Sequence, residues 1–274
     1  MKIFLQVLVA ALLFTSCSSK LGKVLKSKDF DYKLKMAEQF YVQKKYTQAQ
    51  QVYEDVMPHF RGTEKYEDIF YKYTYCAYYL KDYTNAESLF KTFTETFPNS
   101  PRLEEAEYMR AYCYYKQSPK VELDQTPTSK TIALMQAFIN SHPNSARNKE
   151  ANEIIDLCRA KLELKEYKSA QLYYDLGYFK SAGVAFSVLM DNYPESEKAD
   201  QYKLAEIKSY YKYATMSIVS RQLERFQKVI SECQDFEDRF NESALKTEVN
   251  EYKTLSEKNI KNLQNEQIAQ TSKQ

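Results

Sequence analysis

The stretch YTNAESLFKTFTETFPNS, residues 83–100, decides the fold. Its apolar positions are Tyr83, Ala86, Phe90, Phe93 and Phe97, separated by 3, 4, 3 and 4 residues. Residues so spaced share one face of an α-helix, whereas a half-buried strand would alternate every second residue. Pro98 cannot continue the helix, and Asn99 and Ser100 are turn and capping residues. The phrase recurs as Phe179, Ala182, Phe186, Leu189, Tyr193, Pro194 and Ser196. Upstream it reads Tyr46, Ala49, Tyr53, Val56 and Phe60, with Arg61 in the proline slot. Two weaker copies are Thr131, Met135, Phe138, His142, Pro143, Ser145, and Phe226, Val229, Cys233, Phe236, Phe240, Asn241, Ser243.

A second amphipathic helix precedes each copy. Met36, Ala37 and Phe40 stand before Tyr46 and Ala49, and Ala170 and Tyr173 before Phe179 and Ala182. Small residues let two helices approach, and aromatics fill the wedge between them. These units resemble the tetratricopeptide repeat. The expected fold is all-α: a right-handed superhelical stack of about five such hairpins over residues 30–243, since one hairpin cannot bury its apolar face alone. The proline-equivalent positions 61, 98, 143, 194 and 241 are 37, 45, 51 and 47 residues apart. Tyr75-Cys76 and Tyr112-Cys113 are 37 apart, so the extra 8 residues of the second step fall in the loop Gln117 to Thr128. The 51-residue step accommodates an additional helix, about 147–163, on Ala151, Ile154, Ile155, Cys158 and Leu162. A long helix is expected from about Ser217 to Phe240.

The N-terminus is of another kind. Lys2 precedes an almost continuous apolar run, Ile3 to Phe14, which ends in Thr15-Ser16-Cys17. The run is too short to span a bilayer comfortably and reads as a signal peptide. Cys17 after small residues resembles a bacterial lipobox, with Phe14 in place of the usual Leu. That resemblance implies cleavage before Cys17 and acylation of its sulfur and new amino group. The expected organisation is a signal peptide 1–16 and a lipidated tether 17–29. Repeats one to three follow over 30–146, then the extra helix and repeats four to five over 147–243. A C-terminal helix covers 244–263, and 264–274 forms a disordered tail.

The body is nearly neutral, with a formal charge of +2 for the 274 residues. It has no long basic stretch, which argues against a nucleic-acid partner. Four glycines among 274 residues disfavour a turn-rich β fold. The two histidines, His59 and His142, form no metal constellation, and neither a nucleophile elbow nor a Gly-rich phosphate loop occurs. No catalytic residue, metal site or cofactor is expected, and the chain does not read as an enzyme. Cys76, Cys113, Cys158 and Cys233 each sit in an apolar helical pattern and read as small core residues. In an oxidising compartment the alternative is a disulfide, whose pairing the sequence leaves open.

Tyrosine is the unusual residue, with 25 copies against no tryptophan. In tetratricopeptide-like repeats the first helix of each unit lines the concave face. Alignment puts Tyr71, Tyr75 and Tyr78 there in unit two, and Tyr108, Tyr112 and Tyr115 in unit three, each triplet forming one stripe. Tyr41 joins from repeat one, and Tyr167 and Tyr174 from repeat four. Tyrosine offers broad contact area, few rotors and a hydroxyl, which suits peptide binding. The competing reading is packing, since Tyr73, Tyr79 and Tyr114 make these helices aromatic on several sides. Arg221 and Arg225, four apart on the long helix, are the candidate partner contacts, because paired guanidinium groups can clamp carboxylates.

Several local phrases narrow the family. They are the turn Phe60-Arg61-Gly62-Thr63, the helix Tyr108-Met109-x-Ala111-Tyr112, Ser118-Pro119 with Leu123-Asp124-Gln125-x-x-Thr128, and Phe138-Ile139-x-x-x-Pro143-x-Ser145. Together with the lipobox they resemble the BamD (YfiO) family of outer-membrane assembly lipoproteins. The resemblance implies a chain anchored in the outer membrane by lipid and facing the periplasm. Its implied partners are the periplasmic part of a BamA-like insertase, unfolded outer-membrane β-barrel clients and further assembly lipoproteins. Two other readings stay open. One is an envelope tetratricopeptide lipoprotein that organises cell-wall or division enzymes. The other is a glycan-binding lipoprotein, which the lack of tryptophan disfavours.

Overall fold

The computed structural model describes residues 20–271, and Cys17 and the expected signal peptide lie outside the described residues. Every regular element described is a helix. A short helix covers 20–26 (α1). It is followed by α2 (Phe30–Val42), α3 (Tyr46–Phe60), α4 (Lys65–Tyr79), α5 (Tyr83–Thr96), α6 (Leu103–Gln117) and α7 (Thr126–Ser141). Then come α8 (Asn148–Asp175), α9 (Phe179–Asn192), α10 (Ala199–Thr215), α11 (Val219–Arg239) and α12 (Lys246–Thr271). The chain divides into two compact units, residues 1–158 and 159–274, and the division falls inside α8.

The hairpins are made by a recurring turn. Lys44 and Lys81 hold φ of 57° and 63°, and Gly177 holds 80°. Each lies two residues before the first residue of the second helix. The amide of the following residue donates to a carbonyl five residues back: Lys45 to Phe40, Asp82 to Ala77, and Tyr178 to Tyr173. This left-handed cap satisfies the last carbonyls of the first helix and reverses the chain within about three residues. Only the third copy carries the glycine that the conformation favours.

In unit 1 the periodic residues form the core as the spacing requires. Ala37, Ala49, Val52, Tyr53, Val56, Ala86, Phe90 and Phe93 have no exposed surface. Ile154, Ile155 and Cys158 at the start of α8 close that core. In unit 2, Ala170, Ala182, Phe186 and Leu189 do the same for α8 and α9. Ile207, Val229, Cys233, Phe236 and Val249 join α10, α11 and α12. At Gly183 the backbone of α9 lies close against α10, where a Cβ would be 2.8 Å from the Tyr210 ring.

The serine of the Pro-x-Ser phrase has a second task. Ser100 donates to Glu67 at 2.6 Å, Ser145 to Glu104 at 2.5 Å, Ser196 to Glu163 at 2.5 Å, and Ser243 to Asp200 at 2.6 Å. Each acceptor belongs to the first helix of the preceding hairpin. The same oxygen accepts the amide two residues on, from Arg102, Arg147, Lys198 and Leu245. One hydroxyl thus shapes the turn and ties neighbouring repeats.

Three boundaries differ from expectation. The extra helix and the first helix of repeat four are one continuous α8 of 28 residues. Residues 159–170 contain neither Gly nor Pro, so nothing interrupts the backbone ladder. The C-terminal helix passes 263 and reaches Thr271 for the same reason. Part of the tether is helical: Val24 in α1 has no exposed surface and packs into the first core with Leu21 and Leu25 nearby. The inserted loop is tightly made, because the buried Gln125 donates to the carbonyls of Lys120 and Leu123 and accepts from Thr128.

The four cysteines among the described residues, Cys76, Cys113, Cys158 and Cys233, are buried thiols. Burial pushes Cys76, Cys113 and Cys233 up to about 12, which leaves them protonated and inert at neutral pH.

Candidate protein-binding surfaces

Six of the seven candidate tyrosines of unit 1 form one unbroken chain of ring contacts, and Tyr79 links the seventh, Tyr41, to it. Tyr71 meets Tyr75 at 4.8 Å, Tyr75 meets Tyr78 at 6.1 Å, and Tyr78 meets Tyr112 of the next repeat at 6.5 Å. Tyr112 in turn touches Tyr108 at 5.8 Å and Tyr115 at 5.7 Å. Tyr41 enters through Tyr79, which stands 6.4 Å from Tyr41 and 5.7 Å from Tyr75. The seven do not share one exposure. Tyr75 and Tyr108 are buried, and the other five are half-buried. The inner pair supports the stripe from beneath, so packing and presentation are both present in it.

Charged groups fix the stripe. Glu105 accepts from the hydroxyls of Tyr71 and Tyr75, both at 2.7 Å. Desolvation, helped by that carboxylate, raises the Tyr71 hydroxyl to about 12, so it remains a donor at any physiological pH. Arg102 lies 4.4 Å from the Tyr71 ring centre and pairs with Asp68 at 2.9 Å. Arg147 repeats the arrangement at 4.7 Å over Tyr108, with Glu105 at 3.5 Å. Lys116 covers Tyr112 at 4.8 Å. Arg102 and Arg147 each stand two residues after the turn serine. That register was visible in the sequence, but only the fold shows that it sets a guanidinium over a tyrosine.

In unit 2, Tyr167 and Tyr174 line a groove of about 530 Å³ with Gln171, Gln201, Lys208 and Glu248. Lys208 and Glu248 pair at 2.7 Å, tying α10 to α12. A second groove, of about 590 Å³, lies on α9, α10 and α11 and is lined in part by Lys180, Tyr213, Arg221, Glu224, Arg225 and Lys228. Both candidate arginines are in it. Arg221 is exposed and meets Glu224 at 3.2 Å. Arg225 is more committed than its position on the helix suggests. Its guanidinium lies 3.9 Å from the Tyr213 ring centre and donates to Ser217. Beside this groove, Met216, Ile218 and Val219 are 72%, 71% and 63% exposed, an apolar edge that the repeat pattern gave no reason to single out.

Among the described residues no group of three metal-ligating side chains comes together. No described helix is long and apolar enough to cross a membrane. What the surfaces offer is aromatic area, fixed donors and a cluster of cations, which are the means of holding another polypeptide.

Residues 32–182, more than half of the chain, match the family described as YfiO, outer membrane lipoprotein. The chain belongs to the YfiO family. The match starts in α2 and ends in α9, so it includes all seven tyrosines of the stripe, the Leu-Asp-Gln loop and the start of unit 2. Among solved structures, this YfiO-family chain is similar to the TPR2AB domain of yeast Sti1 in its complex with pHSP90. The identity is 13% and the TM-score 0.39, with 83% of this chain and 98% of that one covered. No curated protein matches the chain.

Proposed function

We propose that the chain is a non-catalytic scaffold of the outer-membrane β-barrel assembly machinery, anchored through acylated Cys17 and facing the periplasm. Unit 1 holds extended segments of unfolded β-barrel clients on its tyrosine stripe. Unit 2 binds the periplasmic part of a BamA-like insertase through the groove that contains Arg221 and Arg225, and other assembly lipoproteins join the complex. Family membership supports the setting. The linked tyrosine rings carry the binding role, because the half-buried Tyr78, Tyr112 and Tyr115 present aromatic area and hydroxyls that can meet the unpaired carbonyls of an extended chain. A client strand that has not yet paired exposes such carbonyls along both edges.

The division of labour is tested by two variants. Arg221→Glu with Arg225→Glu is expected to lower co-purification of the insertase and to leave client-peptide crosslinking intact. Tyr78→Ala with Tyr112→Ala, which spares the buried pair, is expected to do the opposite. If both variants lose both activities while folded, a single shared surface replaces the two-ended scheme. Anchoring is read separately: the mass of the mature N-terminus should show an acylated Cys17.

A further inference from the structure

The outward side of α1 has no part in the surfaces above. Leu21, Val24 and Leu25 face the core of unit 1, and Val24 has no exposed surface. Lys20, Lys23 and Lys26 follow one another in steps of three and are exposed, and exposed Lys28 follows just beyond the helix. On a helix Lys23 and Lys26 lie about 100° and about 160° round from Val24, whereas Lys20, one turn before Val24, shares its side. No acidic residue occurs between Cys17 and Lys28. Among the described residues none of the four lysines is paired with a carboxylate. Lys20 lies 5.9 Å from the Phe40 ring centre, against repeat one.

The place of this cluster in the chain decides what it meets. Three residues from Cys17 to Lys20 span at most about 11 Å. An acylated Cys17 sits at the headgroup level, so α1 lies within one or two Debye lengths of the bilayer surface, where lysines are attracted to anionic lipid. We propose that Lys20, Lys23, Lys26 and Lys28 form a second membrane contact that binds anionic phospholipid headgroups. This rests on the reading that Cys17 is the anchor. Acyl chains hold the chain to the membrane but leave its orientation free. A cluster of exposed lysines on and just after a helix packed into the first core fixes which side of unit 1 turns to the lipid.

The patch can be read without the anchor. The Cys17→Ala chain is sedimented at low salt with vesicles of phosphatidylcholine, or of phosphatidylcholine with one third phosphatidylglycerol. Binding is expected to the mixed vesicles only, and to disappear at high salt. Each lysine changed to Gln should lower partitioning roughly fivefold, so changing all four should abolish it. A control changes exposed Lys44, Lys45, Lys81 and Lys120 to Gln, with the same loss of net charge and binding expected to persist. Equal loss in both variants would show a general effect of net charge and overturn the proposal. So would a lack of preference for phosphatidylglycerol. The circular dichroism of each variant reports whether the fold is kept. The N-terminal mass of the wild-type chain reports on Cys17 independently, so a failed anchor and a failed patch give different results.

Discussion

Lys203→Met tests the packing of α10 on α11. The Lys203 ammonium is 3% exposed and lies 3.0 Å from Glu206 and 2.7 Å from Asp235, and it also contacts Glu232. Its loss affects the three carboxylates differently. Asp235 is 43% exposed and keeps Arg239 at 3.5 Å, so water and that cation replace the lysine. Glu232 keeps Lys228. Glu206 is 3% exposed and has Lys203 as its ion-pair partner, so it alone is stranded. Removing one member of a buried ion pair costs about 3–5 kcal/mol. The lower end applies here, because desolvation already raises the Glu206 carboxyl to about 7 and the group can take up a proton. A loss of about 3 kcal/mol should lower the urea midpoint of the unit 2 transition by roughly 1.5 M at a slope of about 2 kcal/mol per molar. Adding Glu206→Gln should recover most of the loss. A single variant within 1 kcal/mol (order of magnitude) of the parent, or a double variant no better than the single, would refute the assignment of the cost to stranded charge.

Glu206→Gln alone should change the pH dependence of stability. A carboxyl whose pKa is raised on folding, here from 4.5 to about 7, contributes stability that is fully present below 4.5 and is lost as pH rises through 7. The variant should therefore gain on the parent between pH 5 and pH 8 (about the interval in which the group titrates), and parallel unfolding curves at the two ends would contradict this. Lys81→Gly should stabilise the chain by about 1 kcal/mol, since a non-glycine residue at positive φ is disfavoured by about that amount; a lower melting temperature would show that the Lys81 side chain has a structural role. Gly183→Ala should fail to give the gain of about 1 kcal/mol expected of a helix-interior glycine, because its Cβ would collide with Tyr210; a clear rise in melting temperature would place that ring elsewhere.

The helices were legible because their signal is local. The 3, 4, 3, 4 spacing from Tyr83 to Phe97 states which face is buried, and Pro98 states where it stops. Lengths were less legible where no Gly or Pro interrupts, as in α8, since periodicity places a face but not an end. The tyrosine stripe was half legible. Spacing aligns Tyr71, Tyr75 and Tyr78, but which of them is covered depends on α5, α6 and Arg102 packing across it. The turn serines were visible as a repeated letter. Their acceptors Glu67, Glu104 and Glu163 stand 33 to 41 residues earlier in the chain, so no local rule joins them. Charge gave the least. The three carboxylates Glu206, Glu232 and Asp235 and the two lysines Lys203 and Lys228 read on the sequence as solvated helix faces, and folding encloses part of that set.

The central claim is that this chain works by holding a membrane insertase and its unfolded clients. It is tested most directly by capturing the full chain from detergent-solubilised envelopes and identifying what remains bound. The account predicts a BamA-like insertase as the main partner, with β-barrel clients enriched when folding is stalled. A cell-wall or division enzyme in its place, or a sugar transporter, with no insertase, would contradict it.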